Sequence, residues 1–180
     1  MKYIHERMAT TFTSDKETLQ SLLQSIQTGK TQLPDFQRRW VWDDLHIRDL
    51  LASVSLSYPI GAVMMLETGG EDVKFKSRSI EGVTQSSLAN PERLILDGQQ
   101  RLTSLFQSLF CDRPVLTKNV RGKEIAHWYY INIDKALDPH IDREEAIIGL
   151  PADKILLNKG KIIIDCSTIE KECAAELLPL

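Results

Sequence analysis

"LILDGQQRLTSLFQSLF", residues 94–110, is where the fold of this chain is decided. Leu94, Ile95 and Leu96 form a short continuous apolar run, as a buried strand does. Leu102, Leu105, Phe106 and Leu109 recur at i, i+3, i+4 and i+7, as one face of a helix does. Between them stand Asp97, Gly98, Gln99, Gln100 and Arg101, more polar and small residues than a plain connector needs. A strand ending at Asp97-Gly98 that hands over to a helix near Gln99 aims unpaired backbone N–H groups and the positive end of the helix dipole at one spot. Such a spot attracts anions. Gly98 has no Cβ, so a phosphate oxygen can approach the backbone closely, and Arg101 would add a planar, bidentate donor. Gln99 and Gln100 supply neutral donors and acceptors for a phosphate, a base edge or an attacking water. Asp97, at the strand's carboxyl end, is placed to hold Mg²⁺ or orient a water. The structural alternative is that Asp-Gly is a common turn, Asp97 caps the helix, and Gln and Arg are solvated first-turn residues. Neither a Walker loop nor a dinucleotide fingerprint is present, because neither spacing occurs.

Upstream, Ser14 and Glu17 have capping-box spacing and head a helix carrying Leu19, Leu22, Leu23 and Ile26, which Gly29 stops. Pro34 and the aromatic content of residues 31–42 predict a short extended segment. Asp43 reads as the N-cap of a second helix with Ile47, Leu50, Leu51 and Val54 on one face. Tyr58-Pro59 ends it, and "AVMMLE" (62–67) reads as a strand. The turn chemistry of residues 68–72, with Val73 and Phe75 alternating with Lys74 and Lys76, predicts a hairpin with one wet face. Downstream, Pro114 marks the end of the segment after the central helix, "HWYYINI" (127–133) reads as a strand, and "KIIID" (161–165) as another. Residues 168–178 read as a helix, and "DREEAIIGLPADKILLN" (142–158) as either type. Strands and helices mix without regular βαβ alternation, which predicts an α+β fold. Residues 1–13 show no period and read as a loosely held arm before a single domain, 14–180.

A second constellation is "LPDFQRRWVWDD" (33–44), in which Arg38 and Arg39 sit among Phe36, Gln37, Trp40 and Trp42. Arginines interleaved with aromatics can stack a base and hold phosphates, or the aromatics are core and the arginines exposed. Lys74, Lys76 and Arg78 read as a solvated basic stripe, and Glu81 with Gly82 as a turn or a pocket lining. His5, His46, His127 and His140 lack metal spacing, and no Ser or Cys nucleophile signature appears.

The composition, 42% hydrophobic and 26% charged, is that of an ordinary globular domain. A net charge of -3 gives no global basic field for DNA, so any nucleic-acid contact must come from a local patch or a partner. Three cysteines at no metal or redox spacing, without a secretory signal, point to reduced thiols in the cytoplasm. No apolar stretch is long enough to cross a bilayer, so no membrane role is implied.

Three stretches in order, "LPDFQRRWVW" (33–42), "YPIGAVMML" (58–66) and "LILDGQQRLTSL" (94–105), resemble the N-terminal domain of GmrSD-type, modification-dependent (type IV) restriction endonucleases. The resemblance covers roughly residues 14 to 110 and includes the Asp-Gly-Gln-Gln-Arg signature; "SRSIEGV" (77–83) is similar to a subset. It implies a ParB/sulfiredoxin-like fold, a small mixed sheet flanked by helices. It also implies binding and hydrolysis of a nucleoside triphosphate with Mg²⁺ or another divalent cation, coupled to recognition or cleavage of modified DNA. By resemblance Asp97, Gln100 and Arg101 are catalytic, with Asp97 on the metal. Phe36, Gln37, Arg38, Gly98, Gln99, Arg101 and Thr103 bind the nucleotide. The partners implied are the triphosphate, DNA and an HNH-type nuclease domain or subunit, with a homo-oligomer left open. No such nuclease signature appears after Phe110, so DNA cleavage by this chain alone is not expected; it reads as a fragment, a subunit of a split system or a stand-alone relative. The rival reading is a DNA- or partner-binding module without turnover that uses the same turn to hold a phosphate.

Overall fold

The computed structural model of the chain describes residues 13–69, 75–84 and 90–180. The expected N-terminal arm, apart from Thr13, and Val73 and Lys74 of the expected hairpin lie outside these residues. Helix α1 (Leu19–Gln27) turns Leu22, Leu23 and Ile26 into the core. It starts later than the Ser14–Glu17 spacing predicts. Thr18 is the N-cap, its hydroxyl accepting the Ser21 amide at 3.1 Å. The Glu17 carboxylate is instead held by both terminal nitrogens of Arg93, at 2.7 and 3.2 Å. Gly29, at φ +74, reverses the chain into β1 (Thr31–Pro34), buried at all four residues. Helix α2 (Asp44–Ser55) begins behind Asp43 as its sequence predicts, the Asp43 carboxylate accepting the His46 amide at 3.1 Å.

Strands β2 (Met64–Glu67), β3 (Ser77–Arg78) and β4 (Arg93–Asp97) join β1 in one sheet of order β2-β4-β1-β3. The inner pair, β1 and β4, is parallel, with Thr31 beside Arg93 and Gln32 beside Leu94; both outer pairs are antiparallel. Most of the turn of the hairpin predicted downstream of "AVMMLE" lies outside the described residues. β2 lies along β4, and β3 places Arg78 beside Leu33 of β1. Leu33, Leu94 and Ile95 are almost wholly shielded, so the apolar strands take the centre and the short, half-wet ones the edges. Helix α3 (Gln99–Leu109) follows β4 after one residue and buries Leu102, Leu105 and Phe106 against α1 and α2.

The second half is built around one long strand. β5 (Val115–Lys118) and β6 (Glu124–Asn132) pair with Val115 beside His127. β5 was not expected; Pro114 opens this strand rather than closing a segment, and the partner lets β6 start three residues before the predicted 127. Two short helices, α4 (Ile133–Leu137) and α5 (Arg143–Ala146), lead to β7 (Ile147–Pro151), which lines up on β6 with Ile147 beside Ile131. β8 (Ile155–Asn158) and β9 (Lys161–Asp165) form a separate antiparallel ribbon. Helix α6 (Ile169–Ala174) is shorter than the predicted 168–178, because Leu177–Pro179 leave it as β10 to pair with β6. A small second core of Tyr130, Leu150, Cys166 and Leu177 lies here. The Tyr130 hydroxyl donates to Glu172 at 2.7 Å, and burial together with that bond pushes the hydroxyl up to about 12.

The two halves share one core and a polar tie centred on Asp44. Tyr129 and Ile147 pack with Leu51, Leu105 and Phe106, and the Asp44 carboxylate accepts the Tyr129 hydroxyl at 3.0 Å. The same oxygen meets His127 Nδ1 at 2.8 Å, and Arg48 donates through Nε to the Ile147 carbonyl at 2.9 Å. Burial works to raise the Asp44 carboxyl, but the bonds from His127 and Tyr129 and the Arg48 charge outweigh it and hold it below the usual carboxylate range. A carboxyl depressed in the fold adds stability above its unfolded value, about 3.9, and that stability is lost as pH falls through the folded value. Asp44→Asn is therefore expected to flatten the acid limb of the pH–stability curve, below about pH 4, read from urea midpoints. An acid limb identical to wild type would show that this carboxyl does not tie the halves together.

Candidate functional site

Asp97 ends β4, Gly98 takes φ +90, and α3 begins at Gln99, as the sequence predicts. A Cβ at Gly98 would sit 3.1 Å from a Val63 methyl as well as forcing a left-handed backbone on an L side chain. No side chain caps the helix, so Asp97 does not serve as its cap. Its carboxylate is 72% exposed, with Arg101 Nη2 at 3.4 Å. The strand end, a helix start without a side-chain cap and an exposed carboxylate thus coincide, although Gly98 and Gln99 themselves are buried.

The rest of the signature is bonded to backbone. Gln99 Nε2 donates to the Arg38 carbonyl at 2.7 Å. Gln100 Oε1 accepts the Val41 amide at 2.9 Å, while its Nε2 donates to the Arg39 carbonyl at 3.3 Å. Arg101 donates to the Ile60 carbonyl and, at 2.9 Å, to the Ala62 carbonyl, with Gly61 between them. Its guanidinium thus holds residues 60–62 and is not paired with Arg38 around a common centre. Thr103 has no exposed surface, and its hydroxyl, without a hydrogen-bond partner, faces the interior. Gln37 Nε2 donates to the carbonyls of Ile95 and Leu96 at 2.7 and 2.9 Å, and its buried Oε1 has no partner. The three motifs of the sequence are therefore held together by one set of bonds. Gln37, Gln99 and Gln100 fasten residues 37–41 to β4 and α3, and Arg101 fastens residues 60–62.

One contributor, Arg78, differs from its reading in the sequence, and Glu81, in the turn expected of it, has a role the sequence did not show. Arg78 is not on a solvated face: it donates to the carbonyls of Gln37 and Arg38, at 3.4 and 3.1 Å, and pairs with Glu81 at 3.0 Å. Glu81 in turn accepts the Trp40 amide at 3.2 Å. Their partners in residues 37–40 lie about forty residues away in the chain, and no local pattern announces them.

What this scaffold leaves free is specific. Arg38 and Arg39 are exposed, and their guanidiniums make no ion pair or hydrogen bond with a described residue, although their carbonyls are tied to the first turn of α3. Phe36, 62% exposed, meets Phe75 edge to face at 5.5 Å. Exposed, unpaired cations on the segment tied to a helix start, with an exposed carboxylate at the end of the preceding strand, are groups that attract anions and cations respectively.

Residues 19–173 match the family described as GmrSD restriction endonuclease, N-terminal domain, and the chain belongs to it. It is also 31% identical over 153 residues to an uncharacterized protein from Methanocaldococcus jannaschii, an alignment covering 81% of this chain and 25% of that one. The chain thus spans about a quarter of the length of that relative.

Proposed function

We propose that this domain binds and hydrolyses a nucleoside triphosphate within an anti-phage, modification-dependent restriction system, coupling hydrolysis to the recognition or cleavage of DNA. Membership of the restriction-endonuclease family supports the setting. The observation that supports the chemistry is the 2.7 Å bond from Gln99 to the Arg38 carbonyl, which fixes the backbone of Arg38, whose guanidinium is otherwise unpaired, beside the first turn of α3. Arg38 and Arg39 draw in the phosphates, and the first-turn amides of α3 receive the terminal group. Gln99, Gln100 and Arg101 are positioning residues. Among the described residues no three carboxylate, histidine or cysteine side chains gather to hold a metal. A Mg²⁺ ion arriving with the triphosphate would be held by the exposed Asp97 carboxylate, and it would supply neutralising charge for the phosphates. In hydrolysis a water oxygen bonds to the γ-phosphorus as its bond to the bridging oxygen breaks, releasing diphosphate nucleotide and phosphate. The arginines stabilise the negative charge spread over the transferring group.

Calorimetric titration with the common triphosphates and Mg²⁺ tests the reading. Saturable binding is expected, weakened at least about tenfold by Arg38→Ala with the unfolding midpoint unchanged. A module that only holds DNA phosphates would bind without triphosphate and lose affinity steeply with salt. Equal affinity in wild type and Arg38→Ala would remove the assigned site.

A further inference from the structure

Beside the arginines lies a groove of about 490 Å³ that the phosphate reading does not use. Trp40, Val41 and Trp42 line it from one segment, and Leu116, Ile125 and Ala126 from β5 and β6. Its volume falls in the range of small-molecule sites, about 300–1,000 Å³, and its lining is mostly apolar. Val41 and Leu116 are 63% and 73% exposed, large apolar side chains that nothing in the chain covers among the described residues.

Three observations say what the groove takes. First, Trp40 to Trp42 directly continue Arg38-Arg39, whose guanidiniums are exposed and unpaired, so two free cations stand on the same segment as the groove wall. Second, this wall is fixed to the phosphate site: the Val41 amide is held by Gln100 at 2.9 Å, and the Trp42 carbonyl by the Thr117 hydroxyl at 2.7 Å. Third, Lys118 and Glu124, paired across β5 and β6, put a donor and an acceptor on the rim, as the edge of a heteroaromatic ring requires. A planar, apolar-faced group with hydrogen-bonding edges and an attached polyanion is a nucleotide. We infer that the groove between the Trp40–Trp42 segment and the β5–β6 pair receives the nucleobase of the triphosphate, stacked against the indoles. The inference rests on the proposed phosphate site and deepens it.

Tryptophan fluorescence of the full chain, titrated separately with a nucleoside triphosphate and with inorganic tripolyphosphate, reads the base apart from the phosphates. The nucleotide is expected to quench Trp40 and Trp42 and to bind about tenfold or more tighter than tripolyphosphate. The double variant V41S/L116S, at exposed positions that leave the core intact, is expected to erase most of that advantage with tripolyphosphate affinity unchanged. Tripolyphosphate binding as tightly as the nucleotide, or a double variant that keeps the full advantage, overturns the base groove while the phosphate site stands. Failure of both ligands to bind removes both.

Discussion

Arg101→Ala is expected to lower the stability of the domain by about 2–3 kcal/mol, a fall in melting temperature of roughly 5–10 °C for a chain of this size. The guanidinium reaches the carbonyls of Ile60 and Ala62, and the side chain is only 21% exposed. Truncation leaves the partly buried Ile60 carbonyl without its donor, while the exposed one at Ala62 turns to water. Lysine keeps the charge but lacks the fork that spans two carbonyls, so Arg101→Lys should fall between alanine and wild type. Gly61→Ala should damage the same tie from the other side. A Cβ there would lie 2.5 Å from Arg101 Nη1, on a backbone at φ +89. Thermal and urea unfolding of the three variants decides the matter. Were Arg101 a phosphate ligand alone, alanine would abolish nucleotide binding and leave the melting temperature where it was; that result would end its assignment as a structural clamp.

The second large effect is on turnover. Asp97→Ala should reduce phosphate release from a nucleoside triphosphate roughly a hundredfold or more, on the scale of losing a group that stabilises transition-state charge. Its carboxylate is mostly in solvent, with Arg101 at 3.4 Å as its neighbour, so stability should change by less than about 0.5 kcal/mol. Asp97→Asn keeps the shape and one oxygen but not the charge; it should behave like alanine in turnover and like wild type in unfolding. The pairing of Asp97 variants that fold and do not turn over with Arg101 variants that fold poorly separates the two ends of the signature. Undiminished phosphate release by Asp97→Ala would remove the carboxylate from the reaction.

This division of labour was only half legible in the sequence. The strand, the glycine hinge and the helix across residues 94–110 were readable because each depends on neighbours within a turn or two. Leu94-Ile95-Leu96 needs a buried strand, and Leu102, Leu105 and Phe106 need a helix face. Gly98 suits the left-handed backbone between them. Asp43 as a cap was legible for the same reason. The strand partners were not. β2 lies along β4, far off in the sequence, and Leu177–Pro179 leave a helical stretch to complete the sheet on β6. In the second case a distant ladder overrides the local preference, because it satisfies backbone groups and covers apolar surface together.

The same line runs through the site. Sequence named the residues of the signature and the motif opposite, and their chemistry pointed to an anion. It did not show that Gln99, Gln100 and Arg101 direct their polar groups at carbonyls and an amide 39 to 61 residues away. Nor did it show that Arg78 and Glu81 brace Arg38 and Trp40. The sequence by itself determined the α+β class, the central strand–glycine–helix turn and the identity of its polar residues, since periodicity, propensity and backbone freedom are local properties. Only the tertiary structure decided which of those residues grip the chain and which stay free, since a hydrogen bond depends on what the fold brings within about 3 Å.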